Sequence, residues 1–400
     1  MERQYKDSGI EWIGRIPVEW NIERLKSLFV ERNERDCKGK TLLSVSQYYG
    51  IRPKSETDLA DSHIAVSYDD YKVVYKGDFV MNIMLAWNGS YAVSDYDGMV
   101  SPAYCVFKFR KDYSKKYYHY LLRTDGYPSA FKTLSRGVID SRLRLYPEQF
   151  YTFPVVAPSI REQQRIAEYL DEKCVEIDAL IALQEQMIAQ LTDYKLSVII
   201  EAVTKGLNSD VQLTPSGIDW IGNVPNGWKV AKAKFFVEIN NGSDPKEEGN
   251  IPVYGSGASS FKTCGEYKEG PTVLIGRKGA TLHIPHYIEG KYWNVDTAFD
   301  VKIKKEMILR YYYYLAICFD YKYYISQTTL PGMAQSSYYN MQIPVPPLAE
   351  QRTIADYLDT KCGEIDKLIE TKRQKIETLK EYKKSVIYEA VTGKTDLRDS

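Results

Sequence analysis

Four hundred residues with 44% hydrophobic and 26% charged side chains form a globular composition, with enough chain for two or three domains. The 53 basic and 53 acidic side chains cancel, so no bulk basic field advertises a nucleic-acid partner and any anion-binding surface has to be local. No apolar run approaches the roughly 20 residues of a membrane-spanning helix, the first residues lack the basic and apolar parts of a secretory leader, and the six cysteines form no CxxC pair; no membrane partner and a cytoplasmic protein are expected.

The first element in the chain is Ser8-Gly-Ile-Glu-Trp-Ile-Gly-Arg-Ile-Pro-Val-Glu-Trp20. After it, short strand-like runs at 71–75, 79–85 and 104–109, punctuated by Gly and Asp turns, predict a mixed α/β domain, with a helix at 117–123. The turn region beyond Gly77-Asp78 carries Trp87 and Asn88, and a later cluster, Ser135-Arg136-Gly137 followed by Ser141-Arg142-Leu-Arg144, sets Arg136, Arg142 and Arg144 close enough to share one face. Residues 150–156 lead into the next element.

That element is a long amphipathic helix. Leu170, Cys174, Ile177, Ile181, Ile188, Leu191 and Val198 recur at spacings of three and four, the period of one helix face. Pro158 and Glu162 mark its start and Gly206 its end. At about 60 Å, a helix of this length is expected to be too long to bury its stripe against a small domain, so it needs a second helix.

The chain then begins again. Ser216-Gly-Ile-Asp-Trp-Ile-Gly-Asn-Val-Pro-Asn-Gly-Trp228 repeats the opening motif. A second divergent region follows, containing Tyr254-Gly-Ser-Gly257 and an apolar strand that runs into Arg277-Lys278-Gly-Ala-Thr281. Glycines let backbone approach a phosphate, Arg277 suits a guanine edge and Lys278 suits a phosphate. His283 and His286 find no further ligands in the sequence, so no metal is expected. Residues 307–319, with four consecutive tyrosines, predict a helix, and the loop from Leu330 offers Gln335 for adenine and Ser336 for phosphate. For each of these loop residues an ordinary solvated turn is the competing reading.

The last segment repeats the long helix: Glu162-Gln163, Tyr169-Leu-Asp171, Glu176-Ile-Asp178 and Glu201-Ala-Val-Thr204 return as Glu350-Gln351, Tyr357-Leu-Asp359, Glu364-Ile-Asp366 and Glu389-Ala-Val-Thr392. Its stripe is Leu358, Cys362, Ile365, Ile369, Ile376, Leu379 and Val386. The expected organisation is a mixed α+β domain at 1–157, a helix at 158–207, a second domain at 208–345 and a second helix at 346–400. The two helices pair as an antiparallel coiled coil that acts as a rigid spacer, giving a pseudo-two-fold internal repeat. Two divergent domains on duplicated helices fit a reader of two separate targets; a protein-binding scaffold and a self-contained DNA methyltransferase are the alternatives. The chain has neither an Asn/Asp-Pro-Pro-aromatic motif nor a Gly-x-x-x-x-Gly-Lys-Ser/Thr loop, which leaves no sequence support for methyl transfer or for nucleotide-driven motion.

The paired Ser-Gly-Ile-Glu/Asp-Trp-Ile-Gly segments and the paired Glu-Gln, Tyr-Leu-Asp helices closely resemble the specificity subunits of Type I restriction-modification systems, over essentially the whole chain. The resemblance implies two target recognition domains, each reading half of a split double-stranded DNA site. It further implies two modification subunits that carry S-adenosylmethionine, motor-nuclease restriction subunits as further partners, and no cofactor on this chain.

Overall fold

The structure, a computed structural model, describes residues 3–35, 37–57, 68–137, 139, 142–257, 259–325 and 331–398; Ser141 and Leu330, named above with two of the candidate loops, lie outside them. The chain divides into two units, Met1–Leu183 with Lys375–Ser400, and Gln184–Gln374. Each holds one α+β domain and a portion of both long helices, Ile160–Lys205 and Leu348–Val391.

Both units are built on the same four-stranded antiparallel sheet. In the first unit the order is Phe29–Arg32, Tyr104–Phe109, Phe79–Asn82, Tyr91–Val93. In the second it is Val237–Asn241, Ala298–Ile303, Thr272–Gly276, His286–Ile288. The third strand of each order is buried along its whole length, as its near-continuous apolar sequence requires. The run expected at 79–85 stops at Asn82 because the Asn82 side chain accepts from the Met84 amide (3.0 Å) and turns the chain, a local bond that competes with the ladder. The expected helices appear as Lys115–Leu122 and Leu309–Ile317. Three of the four consecutive tyrosines, Tyr311, Tyr312 and Tyr314, are buried in the second core.

The repeated motifs are the joints of this scaffold. Ser8 and Ser216 accept from the amides of Ile10 and Ile218 (both 3.1 Å), closing a turn in which Gly9 and Gly217 adopt φ of +67° and +74°, a region that disfavours any Cβ. The motif ends on a tryptophan whose indole N–H donates to the first-turn glutamate of a long helix: Trp20 to Glu162 (2.9 Å) and Trp228 to Glu350 (3.0 Å). Gln163 accepts from the Ser114 amide and donates to the Pro158 carbonyl, while Gln351 accepts from Ile308 and donates to Pro346. Gln351 also donates to the Glu306 carbonyl (2.9 Å), so each glutamine satisfies at least two backbone groups where strand, helix and domain meet. Tyr120 and Tyr314 donate to Asp171 and Asp359. Tyr117 and Tyr311 donate to the carbonyls of Val391 and Val203 (3.0 and 3.1 Å), two of the last-turn acceptors a helix leaves open.

Within each unit the long helices run antiparallel. In the first unit Asp178 receives Lys383 on both carboxylate oxygens (2.7 Å), and in the second Asp366 receives Lys195 in the same way. The predicted pairing residues follow the stripe: Leu170, Cys174 and Ile177 in the first unit, and Leu358, Cys362, Ile365 and Ile369 in the second, are buried, while Ile181 is half-buried. One expectation changes: the helices do bury part of the stripe against the domains. Ile166, Leu170, Ala390 and Val391 belong to the first domain's core, and Ile199, Val203, Ile354 and Leu358 to the second's. The apolar face is wide enough at the helix ends to serve both a helix and a sheet.

Candidate DNA interface

In the second unit the site begins where the strand Thr272–Gly276 runs out. Gly276 has no room for a side chain, since a Cβ there would lie 2.2 Å from Leu282 Cα, so the chain turns sharply into 277–281. The amides of Arg277 and Lys278 donate to the Thr297 carbonyl (2.8 and 3.2 Å), the Gly279 amide donates to Pro331 (2.9 Å), and the Met333 amide donates to Arg277 (2.9 Å). Three loops, 277–281, 295–297 and 331–333, are thereby stitched into one surface. On it the Arg277 guanidinium lies 5.8 Å from the centre of the Phe299 ring and donates to the Asp296 carbonyl (3.4 Å), while Lys278 Nζ stands 3.5 Å from the Asp296 carboxylate. Thr281 is half-buried beside them and Ser336 is exposed. Gln335 opens the helix Gln335–Asn340, and its side-chain amide donates to the Ile239 carbonyl, which turns that N–H inward.

In the first unit the same strand of the same sheet, Phe79–Asn82, leads into the counterpart. Trp87 and Asn88 sit in the short helix Ala86–Asn88. The Trp87 indole donates to the Met84 carbonyl (3.0 Å), Lys132 Nζ lies 5.1 Å from the ring centre, and Asn88 accepts from the Ser90 amide and hydroxyl (3.2 and 2.8 Å). Asn88 thus holds the turn with one oxygen. Arg136 and Arg144 exchange both backbone hydrogen bonds (2.8 and 2.9 Å), and the Leu145 amide donates to Ile83 (3.0 Å), docking the arginine loop on the tryptophan loop. Arg136 and Arg142 are exposed and Arg144 is half-buried. The structure ties the loop of Arg136 and Arg144 to the segment that leads into Trp87 and Asn88 through the Leu145–Ile83 bond, as it ties Arg277 and Lys278 to 331–333.

Sequence reasoning did not find Lys132 or Asp296. Lys132 lies in the last turn of the helix Gly126–Leu134 and carries no motif; Asp296 follows the strand Lys291–Asn294, and only the fold carries it to Lys278. Chemically, guanidinium forks suit guanine edges and phosphates and an ammonium suits phosphate, while Trp87 is half-buried with Lys132 beside its ring. Among the described residues no three His, Cys, Asp or Glu are grouped to hold a metal ion, and no helix is long and apolar enough to cross a membrane.

The Type I restriction modification DNA specificity domain matches residues 225–381. The Type I restriction enzyme MjaVIII specificity subunit of Methanocaldococcus jannaschii is 24% identical, covering 96% of this chain and 95% of its own. A putative Type I restriction enzyme MjaX specificity subunit from the same organism matches equally, at 24% with the same coverage. Two solved structures share the fold. One, from work on complex assembly and conformational transition of the type I R-M system, superimposes with a TM-score of 0.71 at 17% identity over 95% of this chain and 99% of that one. The other, the HsdS subunit from Thermoanaerobacter tengcongensis, gives 0.52 at 17% identity over 95% and 98%. A duplicated α+β domain with paired long helices is the fold that this chain shares with those two structures. Over residues 225–381 the chain carries the Type I restriction modification DNA specificity domain, and over nearly its whole length it is similar to specificity subunits of Type I restriction enzymes.

Proposed function

We propose that each unit of this chain reads one half of a split double-stranded DNA site through its own loop cluster, and that the chain performs no chemistry itself. One observation carries the reading: the same loops, after the same strand of the same sheet, occur once in each unit, with Trp87, Asn88, Arg136, Arg142 and Arg144 in one and Arg277, Lys278, Thr281 and Ser336 in the other. The joints that hold those loops keep the same side chains in both copies. A shared frame with different reading surfaces is what two half-sites of different sequence require. Gln335 contributes through position, with its amide N–H committed to Ile239, as Asn88 does with its oxygen committed to Ser90.

Partner binding has its own support. Leu180 and Leu368, at matching places in the two repeats, are 47% and 52% exposed, and Tyr194 and Tyr382 are 57% and 56% exposed. Apolar side chains kept outside at the same place in both repeats fit a surface covered by another polypeptide. We assign that role to two modification subunits, which bring S-adenosylmethionine and the methyl-transfer residues, with restriction subunits joining the cytoplasmic assembly. The test is co-expression with the neighbouring modification subunit, followed by genome-wide mapping of methylated adenines with and without this chain. A split motif that requires this chain supports the proposal; a stable complex of the two with no new methylated motif favours the scaffold reading.

A further inference from the structure

The two repeats are not equivalent just past the ends of their long helices. In the first unit the segment 394–398 folds back over the helix start. Leu397 is 5% exposed within the core cluster that holds Ile166, Leu170 and Ala390, with Tyr169 and Val386 packed against that cluster. Arg3 pairs with both Asp396 and Glu162, and Arg165 donates to the Arg398 carbonyl.

The second unit lacks these anchors. At the positions matching Arg3, Arg165 and Leu397 stand Val211, Thr353 and Ser209. A cleft of about 520 Å³ lies open there, lined by Val198, Ala202, Leu207, Ser209, Val211 and Tyr357 among others. Val198, Ala202 and Tyr357 match Val386, Ala390 and Tyr169 of the filled copy. Leu207 is 41% exposed and Tyr357 37%. The volume accommodates a leucine-sized or aromatic side chain, and the first unit displays what such a surface accepts: a leucine delivered by a short peptide segment.

We propose that this cleft is a docking slot for one apolar side chain of a modification subunit, and that residues 394–398 block the matching slot in the first unit, so the two copies of that subunit bind with unequal affinity. The inference rests on the partner reading above. The first copy inserts into the second unit's slot; the second copy meets Leu397 already in place and gains nothing from the equivalent insertion. Burying one leucine-sized side chain changes affinity by roughly tenfold to a hundredfold, which sets the expected gap between the two dissociation constants.

Titration of the full chain with purified modification subunit, followed by native mass spectrometry, measures both constants. The expected result is a gap of at least about tenfold. Ser209→Trp, which fills the open cleft, weakens the tighter site until the two constants lie within about threefold, and Leu397→Asp, which empties the blocked slot, brings them together by strengthening the weaker site. If Leu397→Asp unfolds the first unit, the Ser209→Trp result decides alone. Equal constants in the unmodified chain, or a gap untouched by Ser209→Trp, overturn the inference while leaving the partner reading in place. Failure of any modification subunit to bind overturns both.

Discussion

Tyr311 and Tyr312 are adjacent, fully buried and chemically identical, yet the structure assigns them opposite contributions to stability. The Tyr311 hydroxyl donates toward the carbonyls of Val203 (3.1 Å) and Pro344 (3.3 Å). It ties the last turn of the first long helix to the strand that precedes the second. Tyr312 buries its hydroxyl with no hydrogen-bond partner among the described residues. Burial drives both phenols well above the ordinary tyrosine range, so both are neutral donors at any working pH. Tyr311→Phe removes a buried hydrogen bond and strands its acceptors, costing about 1–2 kcal/mol; for a unit of this size that is a fall of roughly 2–8 °C in midpoint. Tyr312→Phe removes an unpaired polar group of the same volume and is neutral or stabilising by up to about 1 kcal/mol. Differential scanning calorimetry on the full-length variants measures both effects, and amide exchange at 199–205 assigns the change to the second unit. Equal midpoints for the two variants, or a loss confined to the first unit, refute the assignment of the Tyr311 bond as a joint.

Arg136→Ala with Arg142→Ala lowers DNA affinity and flattens its dependence on salt by about 0.9 logarithmic units for each phosphate no longer neutralised; an unchanged slope in a titration from about 50 to about 200 mM salt places those side chains off the DNA. Arg277→Ala costs about 1–3 kcal/mol and relaxes one position of one half-site if its fork meets a base; methylation-motif mapping reads this directly. His119 is pushed down to about 3 by burial and the nearby Arg123 charge, and its Nδ1 accepts from the Val93 amide (3.3 Å). Because the unfolded chain takes up this proton below about pH 6.5 and the folded chain does not, stability falls as pH falls, by about 2 kcal/mol between pH 7 and pH 5. His119→Gln removes that part of the slope, and denaturant titrations at the two pH values show whether it does.

Most of the scaffold was legible in the sequence because it occurs twice. Trp20 and Glu162 have no local connection, but the return of both as Trp228 and Glu350 marked them as parts of one joint. The stripe from Leu170 to Val198 named the helix through periodicity alone, and its first residues, Leu170, Cys174 and Ile177, are buried while Ile181, Ile188, Leu191 and Val198 are half-buried. Strand ends were less legible: Asn82 stops its strand through a side-chain bond that no periodicity registers. The candidate loops were found by composition, and their assembly was not. Lys278 meets Gly332, and Arg136 meets Arg144, through isolated backbone bridges that depend on the whole sheet being in place. The inward turn of Gln335 has the same origin, since its acceptor, Ile239, lies on a strand far away in sequence. Asp296 gives no sign of its partner until the fold sets it beside Lys278.

The most direct test of two independent half-site readers is to replace the loop 277–284 and the segment 331–337 with those of a related specificity subunit of different target, leave 1–270 intact, and map methylated adenines genome-wide beside the unmodified chain. One half of the split motif is expected to change while the other stays identical. A change in both halves, or in neither with the complex intact, contradicts it.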